Sequence, residues 1–251
     1  MNFFSNFFGN NNLNNKKVAD LSWMEIDIHN HILPSIDDGS KSVEQSMYLL
    51  RRLNKMGLKN FICTPHVMED VHPNTPETIS GAHLKLSQAL KEADNDTKIK
   101  FSAEYMIDSG IDKWISSNQL CPLPNNYVLV EMSYLNESQA LFKTIQDIQD
   151  LGLKPILAHP ERYNYYHMNF NIYKQIKDAG CALQLNLLSI SRYYGEHVKS
   201  TALTLIKSGM YDFVGTDLHH EKHLNALNQV ALKYDIPDLL TPCTIRNSEL
   251  L

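Results

Sequence analysis

Short apolar runs alternate with longer amphipathic segments along most of this 251-residue chain, and that alternation constrains the fold more than any other feature. Segments with helical periodicity lie at residues 43–56, 77–93, 139–151, 171–179, 200–208 and 224–234. Four of them are followed by glycines, which favour the left-handed cap of a helix, at Gly57, Gly152, Gly180 and Gly209. The rhythm of strand, helix and glycine predicts a parallel sheet covered by helices.

Residue types that commonly bind metal ions recur at the ends of the apolar runs. His29 and His31 end the first run, and side chains two residues apart on a strand point to the same face. A single pair of this kind often makes only ordinary hydrogen bonds. The setting is repeated, however, at His66, Glu104, Glu131, His159, Asp217 and His219. Because imidazole and carboxylate groups suit divalent metals, the repetition predicts a metal site.

The number of strands that supply these residues favours a closed sheet. In an open sheet, ligands gather mainly at one crevice, whereas the strands of a barrel all deliver side chains to one end. We therefore predict an α/β fold, a (β/α) barrel with its site at the C-terminal ends of the strands. A length of 251 residues, 43% of them hydrophobic, fits one such domain.

The composition excludes several classes of protein. A net charge of -5, with scattered lysines and arginines, gives no basic field for nucleic acid. The four cysteines form no Cys-x-x-Cys pair, so we expect reduced thiols rather than disulfides or a zinc ribbon. No apolar run approaches the roughly 20 residues that span a bilayer. We expect a soluble, cytoplasmic protein with no transmembrane segment and no secretory signal.

The N-terminus differs in composition from the rest. Phe3, Phe4, Phe7 and Phe8 precede an Asn-rich stretch, and we assign residues 1–22 to a tail and residues 23–251 to a single domain. Helical spacing would place the aromatic rings on one face, able to dock onto a partner, a second subunit in a homo-oligomer, or a membrane surface. The polar second half favours a loosely ordered tail instead.

Four linked motifs carry a family resemblance. They are Asp27-Ile-His-Asn-His-Ile-Leu-Pro-Ser-Ile-Asp-Asp-Gly39, Thr64-Pro-His66, Ala158-His-Pro-Glu-Arg-Tyr163 and Gly215-Thr-Asp-Leu-His219. Over about residues 24–240, the chain resembles the polymerase and histidinol phosphatase (PHP) superfamily. More closely, it resembles the bacterial protein-tyrosine phosphatases of capsule and exopolysaccharide loci. The resemblance does not extend to the Phe/Asn-rich tail.

The resemblance implies a distorted (β/α)7 barrel that holds three divalent metal ions. Carried over by motif, the first metal would be held by His29, His31, Glu104 and Asp217. Glu104 would also bridge to a second metal held by Glu131 and His159. Asp38, rather than the adjacent Asp37, would hold the third metal with His66 and His219. Mn²⁺ is the first expectation for the metal, with Fe²⁺, Zn²⁺ or Co²⁺ as alternatives.

Substrate contacts also follow from the resemblance. Arg162 matches a phosphate-binding arginine of the family, but the second arginine that members often carry after the final histidine is missing. Lys222 or His223 could replace it, although neither offers the bidentate fork of a guanidinium. Either His219 or the pair His220 and His223 could donate a proton to the leaving group.

The implied reaction is hydrolysis of phosphotyrosine in a protein, with Arg162 stabilising charge while a metal-bridging hydroxide attacks. The substrate could be the tyrosine-rich tail of a polysaccharide-export kinase. A small-molecule phosphomonoesterase such as histidinol phosphatase, or a catalytically silent interaction module, are the alternatives. A cysteine-dependent phosphatase needs an arginine six residues after its cysteine. The residues six positions after the four cysteines are Glu69, Tyr127, Leu187 and Glu249, so no such loop is present.

Overall fold

The computed structural model describes residues 18–251, so the predictions for the phenylalanines of the N-terminal tail lie outside the described residues. The helices are Val43–Asn54 (α1), Pro76–Glu92 (α2), Ile111–Ser116 (α3), Leu141–Asp150 (α4), Asn171–Asp178 (α5), Glu196–Lys207 (α6), Glu221–Lys233 (α7) and Ile236–Leu239 (α8). The strands are Asn60–Cys63 (β1), His66–Val67 (β2), Lys98–Phe101 (β3), Glu104–Met106 (β4), Tyr127–Glu131 (β5), Lys154–Ala158 (β6), Ala182–Asn186 (β7) and Phe213–Gly215 (β8).

The strands form a curled parallel sheet. Six of them are hydrogen-bonded in the order β2, β4, β5, β6, β7, β8, and β1 pairs separately with β3. Strands β1 and β2 continue one another across Thr64 and Pro65, as β3 and β4 do across Ser102 and Ala103. The predicted parallel α/β architecture is confirmed, with all six helices predicted from periodicity present and α3 and α8 added.

The segment around His29 links the two sides of the curled sheet. The Asp27 N–H donates to the Asn60 carbonyl at 3.0 Å, and the His31 N–H donates to the Leu218 carbonyl at 2.9 Å. The segment makes isolated bridges to β1 and to the residues after β8 rather than a regular strand. In addition, the buried Asp27 carboxylate accepts from the Thr216 hydroxyl at 2.6 Å and the Thr216 N–H at 3.0 Å. This segment therefore has bonded neighbours on both sides.

Apolar side chains fill both faces of the sheet. The larger cluster packs the helices against the outer face, and the smaller one includes Ile28, Leu129, Ile156 and Phe213. Leu250, near the C-terminus, belongs to the smaller cluster. Burial of this apolar area supplies most of the stabilising free energy, at about 25 cal/mol per Å².

Local sequence explains where the helices begin and end. The Ser42 side chain accepts from the Gln45 N–H at the start of α1, and Thr75 forms a capping box with Thr78 at the start of α2. The four predicted cap glycines all have positive φ, and at Gly209 a Cβ would lie 2.7 Å from the Pro242 carbonyl oxygen. Both conformation and space therefore require glycine there.

The ordered packing begins before the predicted domain start at residue 23. Ala19 and Leu21 are buried, and the Leu21 N–H donates to the Met56 carbonyl at 2.7 Å. Residues 18–22 thus include core positions, although their place next to the Asn-rich stretch predicted that they belong to the tail. Within residues 18–251, no helix combines the length and apolar character needed to cross a membrane.

Candidate metal centre and its cleft

The structure brings all nine predicted ligands together. They form four overlapping sets, and within each set the potential ligand atoms lie within 4.8 Å of one another. The sets are His31, Asp38, His66 and His219; His29, His31 and Glu104; His29, His159 and Asp217; and His66, Glu104 and Glu131. Ligand atoms about 2.0–2.2 Å from one cation would be separated by distances of this order.

Glu104, the first residue of β4, occupies the centre of the cluster. Its Oε1 lies 3.2 Å from Nε2 of both His29 and His159. Its Oε2 lies 3.3 Å from Nε2 of His31 and 3.1 Å from Nδ1 of His66. A single carboxylate that faces four imidazoles from two oxygens is suited to bridge two cations.

Asp38 and Asp217 lie at the edge of the cluster, near His219. Asp38 Oδ1 lies 3.3 Å from His219 Nε2 and 3.6 Å from His66 Nε2. Asp217 Oδ1 lies 3.4 Å from His31 Nε2 and 3.5 Å from His29 Nε2. The cluster is accessible to solvent at Asp38, where 59% of the side chain is exposed, whereas the Asp217 side chain is buried.

Unsatisfied buried atoms fit the presence of cations. Among residues 18–251, His66 Nδ1, Glu104 Oε2 and Glu131 Oε1 are buried and have no hydrogen-bond partner. Yet His66 Nδ1 lies only 2.8 Å from Glu131 Oε1 and 3.1 Å from Glu104 Oε2, so the atoms converge without hydrogen-bonding geometry. Leaving such groups unpaired costs about 1–3 kcal/mol each, and a shared cation would remove that cost. The residues present therefore fit a divalent metal.

Two buried side chains orient the first pair of imidazoles. Asp37 Oδ2 lies 2.7 Å from His31 Nδ1, and Gln184 Oε1 lies 2.8 Å from His29 Nδ1. Each contact occupies Nδ1 and leaves Nε2 free to face the cluster centre. Asp37 therefore contacts the side of the His31 ring away from the cluster centre, next to the predicted ligand Asp38. Gln184 was missed from the sequence because an amide within an apolar strand resembles an ordinary buried residue.

The carboxylates set the protonation of the cluster. Burial favours the neutral ring of His31, yet Asp37, Asp217 and Glu104 raise its pKa well above the ordinary value. Burial also opposes ionisation of Asp217, but His29 and His31 hold its pKa well below the ordinary value. The carboxylates thus favour the protonated form of His31. A divalent metal would take the place of that proton.

Two of the predicted ligands have an unusual backbone conformation. His159 has φ 34° and Asp217 has φ 50°, both in the left-handed region that non-glycine residues rarely adopt. Pro160 follows His159 directly and begins a short 3-10 turn, so the chain bends sharply after β6. Gly215 precedes Asp217 by two residues, and a Cβ there would lie 2.6 Å from the His29 Cβ. The close approach of these segments therefore requires glycine.

Arg162 lies beside the cluster with its guanidinium held on two sides. Its Nη1 donates to Asp217 Oδ2 at 2.8 Å, and its Cζ lies 4.5 Å from the centre of the Tyr194 ring. Asn186 Nδ2 donates to the same Asp217 oxygen at 2.7 Å. The guanidinium carries five N–H donors, so this arrangement leaves donors for an anion.

The cluster opens into a cleft of about 530 Å³. The cleft is lined by the outer ligands, by Arg162 and Tyr194, by an apolar rim that includes Val71, Tyr134 and Leu135, and by His220 and His223. Lys222 is exposed on α7 and is not among the lining residues. Of the two predicted substitutes for the missing arginine, His223 therefore lines the cleft and Lys222 does not, because consecutive residues of a helix point in different directions.

The Cys-dependent alternative finds no support in the cleft. None of the four cysteines lines it, and Cys63 and Cys181 are buried elsewhere in residues 18–251. Burial raises the pKa of Cys181 to about 12, so its thiol stays protonated at neutral pH.

Together, these features define a class: a parallel α/β protein with a cluster of histidines and carboxylates suited to divalent cations. The sequence model of one family, described as Capsular polysaccharide synthesis, CpsB/CapC, matches residues 25–234. The chain belongs to this family, which confirms the resemblance inferred from the motifs.

Known relatives match over most of their length. Tyrosine-protein phosphatase YwqE of Bacillus subtilis (strain 168) is 29% identical over 234 residues, which cover 90% of this chain and 91% of the relative. Tyrosine-protein phosphatase CpsB of Streptococcus pneumoniae is 29% identical over 203 residues, 78% of this chain and 83% of the relative. A crystal structure from a study of YwqE and CpsB, described as unique metal-dependent tyrosine phosphatases, superposes with a TM-score of 0.75 at 27% identity. That match covers 88% of this chain and 96% of the other chain.

Proposed function

We propose that this protein is a metal-dependent protein-tyrosine phosphatase that regulates synthesis of capsular or extracellular polysaccharide. The observation that carries the proposal is the cluster of nine histidines and carboxylates, six of which line the same open cleft as Arg162. The names of its relatives YwqE and CpsB support the same activity. A phosphotyrosine protein, such as the tail of a polysaccharide-export kinase, is the proposed substrate.

The proposed architecture is a closed (β/α)7 barrel in one domain. In it, the segment around His29 takes the seventh place between β1 and β8, and the metal site lies at the C-terminal ends of the strands. The backbone bonds from Asp27 to Asn60 and from His31 to Leu218 support this closure.

We propose three divalent metal ions, with Mn²⁺ as the first choice. His29, His31, Glu104 and Asp217 would hold one of them. Glu104, Glu131 and His159 would hold another, and Asp38, His66 and His219 the third. Glu104 is the proposed bridging ligand, which its contacts with four imidazoles support.

When bound, the cations would supply a nucleophile from water and neutralise charge on the phosphoryl oxygens. Arg162 would donate its free N–H groups to those oxygens, positioned by Asp217 and the Tyr194 ring. The leaving phenolate has a pKa of about 10 and needs little protonation. Either His219 or the pair His220 and His223 would be the group for proton transfer, and all three line the cleft.

Phosphate release from a phosphotyrosine peptide by metal-stripped protein, titrated with Mn²⁺, Fe²⁺, Co²⁺ or Zn²⁺, tests this function. We expect metal to restore activity, His159→Ala to lower it by at least about 100-fold, and His197→Ala on exposed α6 to leave it unchanged. Faster hydrolysis of histidinol phosphate would favour the small-molecule alternative. Bound metal without any phosphoester hydrolysis would favour the silent module.

A further inference from the structure

A second groove, distinct from the metal cleft, lies between the loop that precedes α6 and the exposed side of α7. It has a volume of about 460 Å³. Its lining consists of Ser191, Arg192, Tyr193, Lys199, Ala226, Gln229, Val230, Lys233 and Tyr234. Three of these residues are cationic and none is acidic, in a chain whose net charge is -5. The groove is therefore a local exception to the charge of the whole protein.

The three cations differ in their carboxylate partners. Arg192 pairs with Glu196 on α6. Among residues 18–251, however, neither Lys199 nor Lys233 forms an ion pair with a carboxylate. Lys233 instead lies over the Tyr234 ring, 5.3 Å from its centre. The two ammonium groups are thus available to an anionic ligand in the groove.

The groove is continuous with the wall of the metal cleft. Tyr193 lines the groove, and its ring centre lies 5.0 Å from that of Tyr194 and 5.2 Å from that of His223, both of which line the cleft. Tyr194 in turn contacts the Arg162 guanidinium. The start of the groove is therefore within about 10 Å of Arg162, a span of about three extended residues.

We propose that this groove binds an anionic stretch of the substrate polypeptide, starting about three residues from the phosphotyrosine in the cleft. The proposal rests on the proposed phosphatase function and adds a substrate class to it: tyrosine sites flanked by acidic or phosphorylated residues. Tyr193 and Tyr194 would separate the two sites, with Lys199 and Lys233 as the charge-selecting residues. The attraction would be screened by salt because both lysines remain accessible to solvent.

The test measures binding of fluorescent peptides to the metal-loaded, full-length chain. Each peptide carries a non-hydrolysable difluoromethylphosphonate analogue of phosphotyrosine. Four glutamates, or four glutamines in the comparison peptide, occupy the third to sixth positions from this residue, on either its N-terminal or its C-terminal side. The variant Lys199→Glu/Lys233→Glu reverses the groove charge. Lys85→Glu/Lys207→Glu is the matched control, with the same change in net charge at exposed positions outside the groove.

We expect the glutamate peptide to bind about fivefold more tightly at low salt, with the preference lost in the groove variant and kept in the control. An equal affinity for both peptides, or an equal loss in both variants, would overturn the proposal. The proposed function has a separate readout. The affinity of the glutamine peptide that carries the phosphonate is compared with the affinity of the same peptide with unmodified tyrosine. Thermal unfolding of each variant verifies that it is folded.

Discussion

At the scale of single residues, the cluster depends on side chains that are not ligands themselves. Asp37 and Gln184 each contact Nδ1 of one imidazole and so determine which nitrogen of His31 and His29 faces inward. Asp37 also accepts the Gly39 N–H at 2.9 Å and the His66 N–H at 3.2 Å, so it fixes the loop as well as the ring. The positions of the ligands are therefore set by a surrounding layer of hydrogen bonds.

Replacing Asp37 by asparagine tests this role. The amide keeps the size of the side chain but loses the charge that holds His31, so we expect metal affinity to fall about 10- to 100-fold. A metal titration monitored by recovery of phosphatase activity measures the change. Asp70→Asn, in an exposed part of the neighbouring loop, is the control. Unchanged affinity in the Asp37 variant would show that His31 does not need this carboxylate.

Thiol alkylation tests the exclusion of cysteine chemistry. Burial raises the pKa of Cys121 to about 11 and that of Cys181 to about 12, so very little thiolate is present near pH 7.5. Since alkylation needs the thiolate, we expect iodoacetamide to leave phosphatase activity intact at that pH and to react faster as the pH rises. Rapid inactivation near neutral pH that added phosphate prevents would contradict this expectation.

At the scale of elements, hydrogen bonds connect the segment around His29 to the residues that follow β8. The Thr216 hydroxyl donates to Asp27 Oδ2 at 2.6 Å, while the Asp217 N–H donates to the His29 carbonyl at 2.7 Å. Burial raises the pKa of Asp27 to about 6 although the Thr216 hydroxyl and N–H both donate to its carboxylate. The link therefore depends on keeping this buried carboxyl group fully hydrogen-bonded.

Thr216→Val removes one of those bonds without changing the shape of the side chain. We expect the free energy of unfolding to fall by about 1–3 kcal/mol, because the Asp27 carboxyl loses a buried partner. Urea denaturation of the metal-free protein measures this without a contribution from metal binding. Thr204→Val, whose hydroxyl lies on the exposed side of α6, should change stability by less than about 0.5 kcal/mol. Equal effects at the two sites would refute the role of the link.

At the scale of the whole molecule, distant parts of the chain share one centre. The proposed ligands extend from His29 to His219, so the fold must bring them together to form one centre. A metal that binds only the folded chain would therefore add to its stability through mass action. In the proposed function, the same ions serve both folding and catalysis.

Removing metal with a chelator should lower the melting temperature. At a metal concentration about 100 times the Kd, we expect bound ions to add about 2.7 kcal/mol per site to the free energy of unfolding. Differential scanning calorimetry with and without Mn²⁺ measures the shift. His159→Ala should reduce the shift and His197→Ala should retain it. A melting temperature indifferent to metal in the parent chain would argue against the proposed sites.

Much of the fold follows from local sequence. The apolar runs, the helical periodicity and the cap glycines predicted six helices and the parallel sheet, because those patterns reflect which face of each element is buried. Short elements such as α3 and α8 carried too few residues for a periodic signal. The packing of Ala19 and Leu21 was missed because burial of an irregular segment depends on the surface it meets.

The sequence by itself determined which histidines and carboxylates follow the apolar runs, because hydrophobic periodicity is a local property of the chain. Only the tertiary structure decided which groups face the remaining imidazole nitrogens, that His223 rather than Lys222 lines the cleft, and that Lys199 and Lys233 share a groove. These depend on sheet register and on the rotation of each helix about its axis. Both are set by packing between segments far apart in sequence, which local patterns do not encode.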